Sequence, residues 1–255
     1  MNEQWRSPFL VLPLSFFVMW LSVWIGVFLR KRYQDLDKDV NHDFELIMAS
    51  TLTLLGLIIG FTFSMAINRY DQRKNYEEAE ANAIGTEYVR ADLLPVSDAA
   101  RVRILLKDYL DQRILFYQTR HAGDLQQINA RTAKLQTELW SAVQVPASAQ
   151  QTPVLALVLS GMNDVLNSQG YTQAAWWNRI PLGAWGLMVA VAISSCLLVG
   201  YTAHRPEHGH IRLVILPLIL TIAFFLIADI DSPRHGAIRV LPQNLISLAQ
   251  SLHGR

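Results

Sequence analysis

Hydrophobic positions are concentrated in four long runs, and the segments between them are polar. Each run holds about 20 residues, enough for a helix rising 1.5 Å per residue to cross the roughly 30 Å hydrocarbon core of a bilayer. The first run is closed by Arg30, Lys31 and Arg32 and is too long for the apolar part of a signal peptide. The runs predict transmembrane helices at about residues 9–29, 46–67, 181–201 and 211–230.

The polar stretch between the second and third runs predicts further helices. Apolar residues recur there at three- and four-residue intervals, and no segment alternates with the period of two that is typical of strands. Span two meets no helix breaker before Pro95 other than Gly85, so we expect it to continue out of the membrane as one helix. The predicted fold class is all-α: an integral membrane protein with four transmembrane helices and a helical domain between spans two and three.

Local signals predict the borders within that domain. Ser97 is predicted to cap a helix, residues 146–153 form a polar linker, and another helix covers residues 153–168. Trp176, Trp177 and Arg179 combine aromatic rings with a cation, which is typical of an anchor at the headgroup level. The predicted divisions are an N-terminal hairpin of spans (1–67), the helical domain (68–179), a C-terminal hairpin of spans (180–230) and a tail (231–255).

Span two carries two rows of candidate functional residues. Its small residues recur at every fourth position: Gly56, Gly60 and Ser64. Small residues let another helix approach closely in lipid, either within one subunit or between subunits. A bulky row runs beside them: Leu55, Ile59, Phe63 and Ile67. That row would form either a hydrophobic gate that closes by dewetting or an ordinary surface facing lipid or the core.

A polar cluster stands where span two leaves the membrane. It consists of Asn68, Arg69, Asp71 and Arg73. Arg69 and Arg73 are four residues apart and therefore share a helix face. Two interpretations stay open: an anion-attracting vestibule, or a helix end whose charges reach the interface and form ion pairs.

Two carboxylates, Asp229 and Asp231, end span four and are followed by Arg234. A carboxylate costs about 2.5–3.5 kcal/mol at the bilayer centre and far less at the boundary, so these need no special function. Alternatively they pair with Arg69, Arg73 or Arg234. A cation site is the third alternative, although hard cations prefer more oxygen ligands than two carboxylates supply.

Composition excludes several classes of function. A net charge of +1 without a basic stripe gives no indication of nucleic-acid binding. The single cysteine, Cys196, excludes an intramolecular disulfide. We predict no cofactor and no metal site, because Pro206 and Gly209 disrupt helical spacing in the loop that holds His204, Glu207, His208 and His210. The recognised hydrolase, nucleotide-binding and zinc-protease motifs are absent from the sequence, so we predict no enzyme.

Four glutamates are predicted to face solvent: Glu77, Glu78, Glu80 and Glu87.

Two segments resemble the bestrophin-like family of bacterial membrane proteins. They are residues 60–95, GFTFSMAINRYDQRKNYEEAEANAIGTEYVRADLLP, and residues 228–240, ADIDSPRHGAIRV. In bestrophins a glycine-containing second span is followed by a polar cluster similar to that of Asn68, Tyr70, Asp71 and Arg73. An acidic-Pro-Gly stretch after the fourth span is similar to that of Asp229, Asp231, Pro233 and Gly236.

The resemblance implies an architecture and a function. Bestrophins are pentameric anion channels whose second span lines the pore and whose termini and middle helices are cytosolic. The resemblance therefore implies a multi-pass homo-oligomer of the bacterial inner membrane that conducts inorganic anions, with its termini and helical domain in the cytoplasm. Charge does not decide this orientation, because lysines and arginines are nearly balanced between the two sides.

The sequence leaves two functions open. The first is an ion channel built as a ring of subunits, with span two lining the path. The second is a non-conducting scaffold or sensor whose cytosolic helices, residues 69–168, bind a partner while the spans anchor them in the bilayer. The apolar character of span two and its small residues fit packing as well as they fit a path.

Overall fold

The computed structural model describes residues 8–32, 38–149, 151–203 and 210–253, which form eight α-helices and no strand. Four segments are long and apolar enough to cross a membrane, which confirms the predicted all-α membrane fold. The predicted histidine loop, residues 204–209, lies outside the described residues. In chain order the helices are α1 (Pro8–Arg32), α2 (Lys38–Arg90), α3 (Val96–Gln118), α4 (Ala122–Ala149), α5 (Pro153–Trp177), α6 (Leu182–Thr202), α7 (His210–Asp231) and α8 (Gln243–His253).

The chain divides into two compact units. Residues Met1–Asn68 and Arg179–Ile238 form the first, here called the membrane unit. Residues Arg69–Asn178 and Arg239–Arg255 form the second, called the helical unit. The last helix, α8, thus clusters with the helices that lie between spans two and three in sequence.

In the membrane unit, α1 packs against α6 and α7. Two glycines allow the closest approach: a Cβ atom at Gly26 would overlap the carbonyl oxygen of Leu197, and one at Gly200 would overlap that of Val23. Small residues at both sides of a crossing are a common way to pack helices in lipid, where apolar burial supplies no driving force. The Arg30 guanidinium donates to the Tyr201 carbonyl at 2.9 Å near the same crossing.

Helix α2 is one uninterrupted helix of 53 residues, as the absence of early breakers predicts. A single 3₁₀ turn, Ala91–Leu93, follows it. The predicted cap at Ser97 is wrong, because α3 begins at Val96 and Pro95 occupies the N-cap position. The Pro95 carbonyl accepts the first helical bond from Ala99 at 2.9 Å, so the fixed backbone angle of proline starts this helix without a side-chain cap.

In the helical unit, two predicted borders are wrong. The predicted linker begins too early, because α4 continues through the buried Pro146 to Ala149. Helix α5 is capped by Thr152, whose hydroxyl accepts from Leu155 N at 3.2 Å, but it extends well beyond residue 168. It continues because its buried face continues to Trp176.

The predicted tryptophan anchor is divided between two environments. Trp176 is buried in the core of the helical unit, edge-on to the rings of Phe116 and Tyr117. Trp177 is 74% exposed. Only one of the two rings is therefore available to an interface, because their side chains leave α5 in different directions.

Candidate functional site

Two sides of α2 differ within the membrane unit. One side is packed: Leu55 is 2% exposed and Thr62 and Ala66 are buried as well. The other side is open, because a Cβ atom added at Gly56 or Gly60 would have no neighbour within 4 Å. Ser64 is also exposed. The described residues therefore do not pack against this small-residue row within one subunit. A contact of the row between subunits stays a prediction.

The bulky row of α2 does not lie on one side. Helical residues at four-residue spacing drift by about 40° per step, so the row turns by about 120° between Leu55 and Ile67. Leu55 is buried, Ile59 and Ile67 are half-buried, and Phe63 is 40% exposed. Leu55 is thus wrong as a pore-facing residue, because it packs inside the protomer.

A different set of residues shares the open side of α2. Spacings of four, three and four residues keep positions on one helix face. The set with this spacing is Gly56, Gly60, Phe63 and Ile67, here called the open stripe. It is small at one end and bulky at the other. The open stripe replaces the predicted row as the candidate for a path or a contact between subunits.

The polar cluster at the end of this span is not a uniform vestibule. Asn68 and Asp71 are exposed and Arg69 is half-buried. Among the described residues, the Nε and Nη1 atoms of Arg69 are buried without a hydrogen-bond acceptor. The open positions of the cluster thus carry one carboxylate and one amide, beside the half-buried arginine.

Arg73 is wrong as a vestibule residue, because it is only 1% exposed. Its Nε donates to the Ala175 carbonyl at 3.3 Å, and its Nη2 donates to the Asn178 carbonyl at 3.4 Å. These carbonyls end α5, where the helix macrodipole favours a cation. Arg73 therefore binds the C-terminus of α5 rather than a mobile anion.

The carboxylates at the end of α7 also bind backbone. Asp229 accepts from Ala237 N at 2.7 Å and from Ile238 N at 2.8 Å. Asp231 accepts from Ile180 N with both oxygens, at 3.1 and 3.3 Å. Among the described residues no group of three or more potential ligands surrounds the pair, so the structure gives no support to the alternative of a cation site. Arg234 is half-buried beside them.

Three of the four glutamates predicted to face solvent are buried instead. Glu77 is 1% exposed and Glu80 and Glu87 are 0% exposed, whereas Glu78 is exposed. The buried residues lie on one face of α2 together with Arg73 and Ile84. The sequence signal that could have identified the buried glutamates is their helical spacing, which places them on the same face as the apolar Ile84. Their charge alone indicates a solvated face.

Glu80 forms the centre of a buried polar network in the helical unit. Arg113 donates to both carboxylate oxygens, through Nε to Oε1 and through Nη2 to Oε2, the second at 3.4 Å. Tyr117 and Thr172 donate to Oε2 at 3.3 and 3.2 Å. Burial lowers the pKa of Arg113, but its interactions with Glu80, Tyr109 and Tyr117 together outweigh burial and raise that pKa overall. The network joins α2, α3 and α5.

Glu77 binds the start of α8. Its Oε1 accepts from Leu245 N at 3.0 Å and its Oε2 from Asn244 Nδ2 at 2.7 Å. A carboxylate at a helix N-terminus satisfies free N–H groups and interacts favourably with the macrodipole. The C-terminal helix α8 is therefore held to the extramembrane part of α2 by Glu77, a residue of α2.

Glu87 differs from these two because, among the described residues, both of its buried oxygens lack a hydrogen-bond partner. Its carboxylate and the Arg90 guanidinium fill the space that a Cβ atom at Gly161 would need. Burial raises the pKa of Glu87 to about 8; Arg90 lowers it and Asp164 raises it further. At neutral pH the side chain is therefore mainly protonated.

This raised pKa makes stability depend on pH. Because the folded protein holds the Glu87 proton more tightly than the unfolded chain does, its contribution is fully present below pH 4.5 and is lost as pH rises through about 8. We expect Glu87→Gln to flatten this fall and to melt at a higher temperature than the wild type at pH 9. Thermal unfolding in detergent at several pH values measures it, with the exposed Glu78→Gln as control. If the melting temperature falls equally with pH in Glu87→Gln and in the wild type, the raised pKa of Glu87 is contradicted.

Comparisons with known proteins agree with this architecture. A family model for the bestrophin-like domain matches residues 15–245. No curated protein matches the chain in sequence. The fold is similar to a crystal structure of a bacterial bestrophin homologue from Klebsiella pneumoniae that carries one tryptophan-to-alanine substitution, with a TM-score of 0.66 and 14% identity over 96% of both chains.

Two further crystal structures have the same fold. One is another structure of the Klebsiella pneumoniae bestrophin homologue, with a TM-score of 0.61 and 15% identity over 92% of this chain and 94% of that one. The other is a membrane protein with a glycine-to-alanine substitution, with a TM-score of 0.65 and 14% identity over 95% and 96% of the two chains. The structures show a shared fold, and the family match extends over most of the sequence. This chain therefore belongs to the bestrophin-like family of membrane proteins.

Proposed function

We propose that this protein is an oligomeric ion channel in which α2 of each subunit lines a central path. The observation that carries the proposal is the open stripe, where two glycines without a neighbour within 4 Å precede the exposed Phe63 and the half-buried Ile67. The other exposed sides, on α1, on α7 and on α2 itself, carry large apolar residues such as Leu14, Ile219 and Leu57, as lipid contact requires. Membership in the bestrophin-like family supports the same reading.

The path narrows at Phe63 in this proposal. Glycines leave room around the axis of a ring of helices, whereas phenylalanine and isoleucine side chains one or two turns further along would occupy it. A hydrophobic constriction of this kind gates by excluding water. Asn68 and Asp71 follow, so the narrow part opens into polar surroundings.

The proposal also includes a preference of the channel for anions over cations. With Arg73 bound to the end of α5, the half-buried Arg69 is the cation of the cluster that supports it. Asp71 is exposed and acts in the opposite direction. A wild-type reversal potential close to the anion equilibrium value supports the anion preference, and one close to the cation value removes it without affecting the proposed path.

Subunit number is the first test. We expect native mass spectrometry of the full chain in mild detergent to show a closed ring, a pentamer by likeness to bestrophins. A monomer or dimer that persists across detergents would leave α2 no axis to line and would overturn the channel.

Orientation is tested separately. In the proposed orientation the protein lies in a bacterial inner membrane with its termini and helical unit in the cytoplasm. A reporter that is active only in the cytoplasm should therefore be active when it is fused to the C-terminus.

Ion flux tests the constriction. We expect Phe63→Ala to raise flux in liposomes severalfold, because it removes the bulk that excludes water from the path. Phe61→Ala is the matched control, since Phe61 is 64% exposed on a different side of the same helix. Flux should stay at the wild-type rate in that control. An unchanged rate in Phe63→Ala rings of normal subunit number would remove Phe63 from the gate.

One observation favours the alternative function of a scaffold. The helical unit exposes several large apolar side chains near the junction of α2 and α3: Val89 58%, Leu93 43%, Val96 89% and Ile104 63%. Exposed apolar side chains that form one contiguous patch are typical of a surface that another protein covers. If the protein does not form rings, this surface is where a partner of the scaffold would bind.

A further inference from the structure

A cavity of about 370 Å³ lies inside the membrane unit, among α1, α6 and α7. Most of its lining is apolar: Val18 and Met19 from α1, Val189 and Ile193 from α6, and Phe224 from α7. The Trp185 ring also lines it and stands edge-on to Phe224, with centroids 6.2 Å apart. Cavities of this volume and character hold small organic groups.

The polar groups of the cavity are all but confined to one end. Arg179, Asp231 and Ser232 lie there, just before the first residue of α6 and at the last residue of α7. This is the level at which two spans leave the membrane. From that end, the α6 wall extends from Leu182 to Ile193, about 16 Å along the helix at 1.5 Å per residue. The cavity therefore has a headgroup end and a hydrocarbon end.

The cavity is open at the surface of the protomer. Leu14 and Leu182 belong to its lining and are 65% and 76% exposed. In a bilayer, the molecules next to such an opening are lipids. An acyl chain in the cavity would gain dispersion contacts with the apolar lining that an empty space would forfeit.

Charge at the polar end decides which part of a lipid lies there. The Asp231 carboxylate is engaged by the backbone N–H of Ile180 and holds the turn before α6. Arg179 is half-buried in the same turn. A guanidinium at the headgroup level matches a phosphate in geometry and charge, and the two groups form paired hydrogen bonds.

We propose that this cavity binds one acyl chain of a membrane phospholipid, with the lipid phosphate on Arg179. The protein then carries a built-in lipid site away from the open stripe of α2, in addition to its proposed path for ions. Binding is measured without ion flux, so the outcome does not depend on whether the protein is a channel.

Native mass spectrometry of the full chain with added phosphatidylglycerol tests the site. We expect the wild type to retain about one phospholipid per subunit after delipidation, the stoichiometry of a single preformed pocket. Val189→Trp fills the cavity and should abolish retention. Leu187→Trp is the matched control, because it adds the same ring to an exposed position of the same helix and should retain lipid like the wild type. Equal retention by Val189→Trp and the wild type overturns the proposal.

Two measurements keep the test valid if Val189→Trp does not fold. Arg179→Gln should reduce retention of phosphatidylglycerol severalfold while leaving retention of diacylglycerol, which lacks the phosphate, unchanged. Phospholipids with brominated acyl chains should quench the fluorescence of Trp185, so the quenching should be stronger in the wild type than in Trp185→Phe. If the brominated chains quench both proteins equally, something other than lipid covers Trp185, such as a second copy of the chain, and the proposal fails.

Discussion

Gly26→Ala will destabilise the membrane unit strongly, whereas Gly60→Ala will leave the protomer intact. A methyl group at Gly26 would overlap the Leu197 carbonyl oxygen and would stand 2.8 Å from the Tyr201 nitrogen. Both are backbone atoms, which no rotamer change can remove. Helices α1 and α6 must therefore separate. The expected cost is about 3 kcal/mol, the upper part of the range for overpacked cores. For a chain of this size that lowers the melting temperature by roughly 6–12 °C.

Gly60→Ala is the matched control in the same bilayer. It adds the same methyl group to a transmembrane helix, at a site with no neighbour within 4 Å in the protomer. Its melting temperature should not fall. Any loss of subunit number or of flux in this variant then reports a contact made outside the protomer. A Gly26→Ala protein that melts at the wild-type temperature would show that α1 and α6 are not in the close contact described.

The helices themselves are predictable from sequence because their signals are local. Apolar runs, Pro95 and the Thr152-Pro153 pair act on adjacent residues, so the uninterrupted α2 and the start of α5 follow from pattern alone. The end of α5 does not, because the polar residues after Ser168 hide a buried face that continues through Thr172 to Trp176.

The roles of individual residues on α2 are less predictable, because a pattern cannot tell which side of a helix its neighbours cover. Leu55 and Phe63 look equivalent in a four-residue row, yet one is buried and the other is exposed. Burial is decided by which side of α2 the remaining elements cover. The sequence of span two contains no information on their position.

The buried glutamates show the same limit for charge. Glu80 is stabilised by Arg113, 33 residues away, and Glu77 by Asn244, 167 residues away. No basic residue lies within a helical turn of Glu80, and Arg73, four residues before Glu77, donates to the Ala175 carbonyl of α5. The general rule that glutamates face solvent therefore favours the wrong answer wherever a distant group compensates the buried charge.

Arg113→Met is expected to have the largest effect on the stability of the helical unit. Both partners of the Glu80–Arg113 pair are 0% exposed, so removing the arginine leaves a carboxylate buried without a countercharge. Breaking a buried pair in this way costs about 3–5 kcal/mol. The loss also removes the guanidinium from its position over the Phe116 ring, 4.4 Å from the ring centroid.

A surface pair provides the control. Arg131 and Asp108 are 3.8 Å apart with side chains 44% and 51% exposed, so Arg131→Met should cost less than about 1 kcal/mol. Denaturant unfolding of the full chain in detergent compares the two variants. Equal losses would mean that burial does not strengthen the Glu80–Arg113 interaction.

The double variant Glu80→Gln/Arg113→Met distinguishes a missing attraction from an uncompensated charge. Glutamine keeps an oxygen that can accept from Tyr117 and Thr172, and methionine fills much of the volume of the arginine. Neutral replacements of buried pairs are often tolerated, so we expect the double variant to regain most of the stability that Arg113→Met loses. If the double variant is as unstable as Arg113→Met, the fork of hydrogen bonds from Arg113 stabilises the crossing of α2 and α3 directly, and the isolated Glu80 charge is not the cause of the loss.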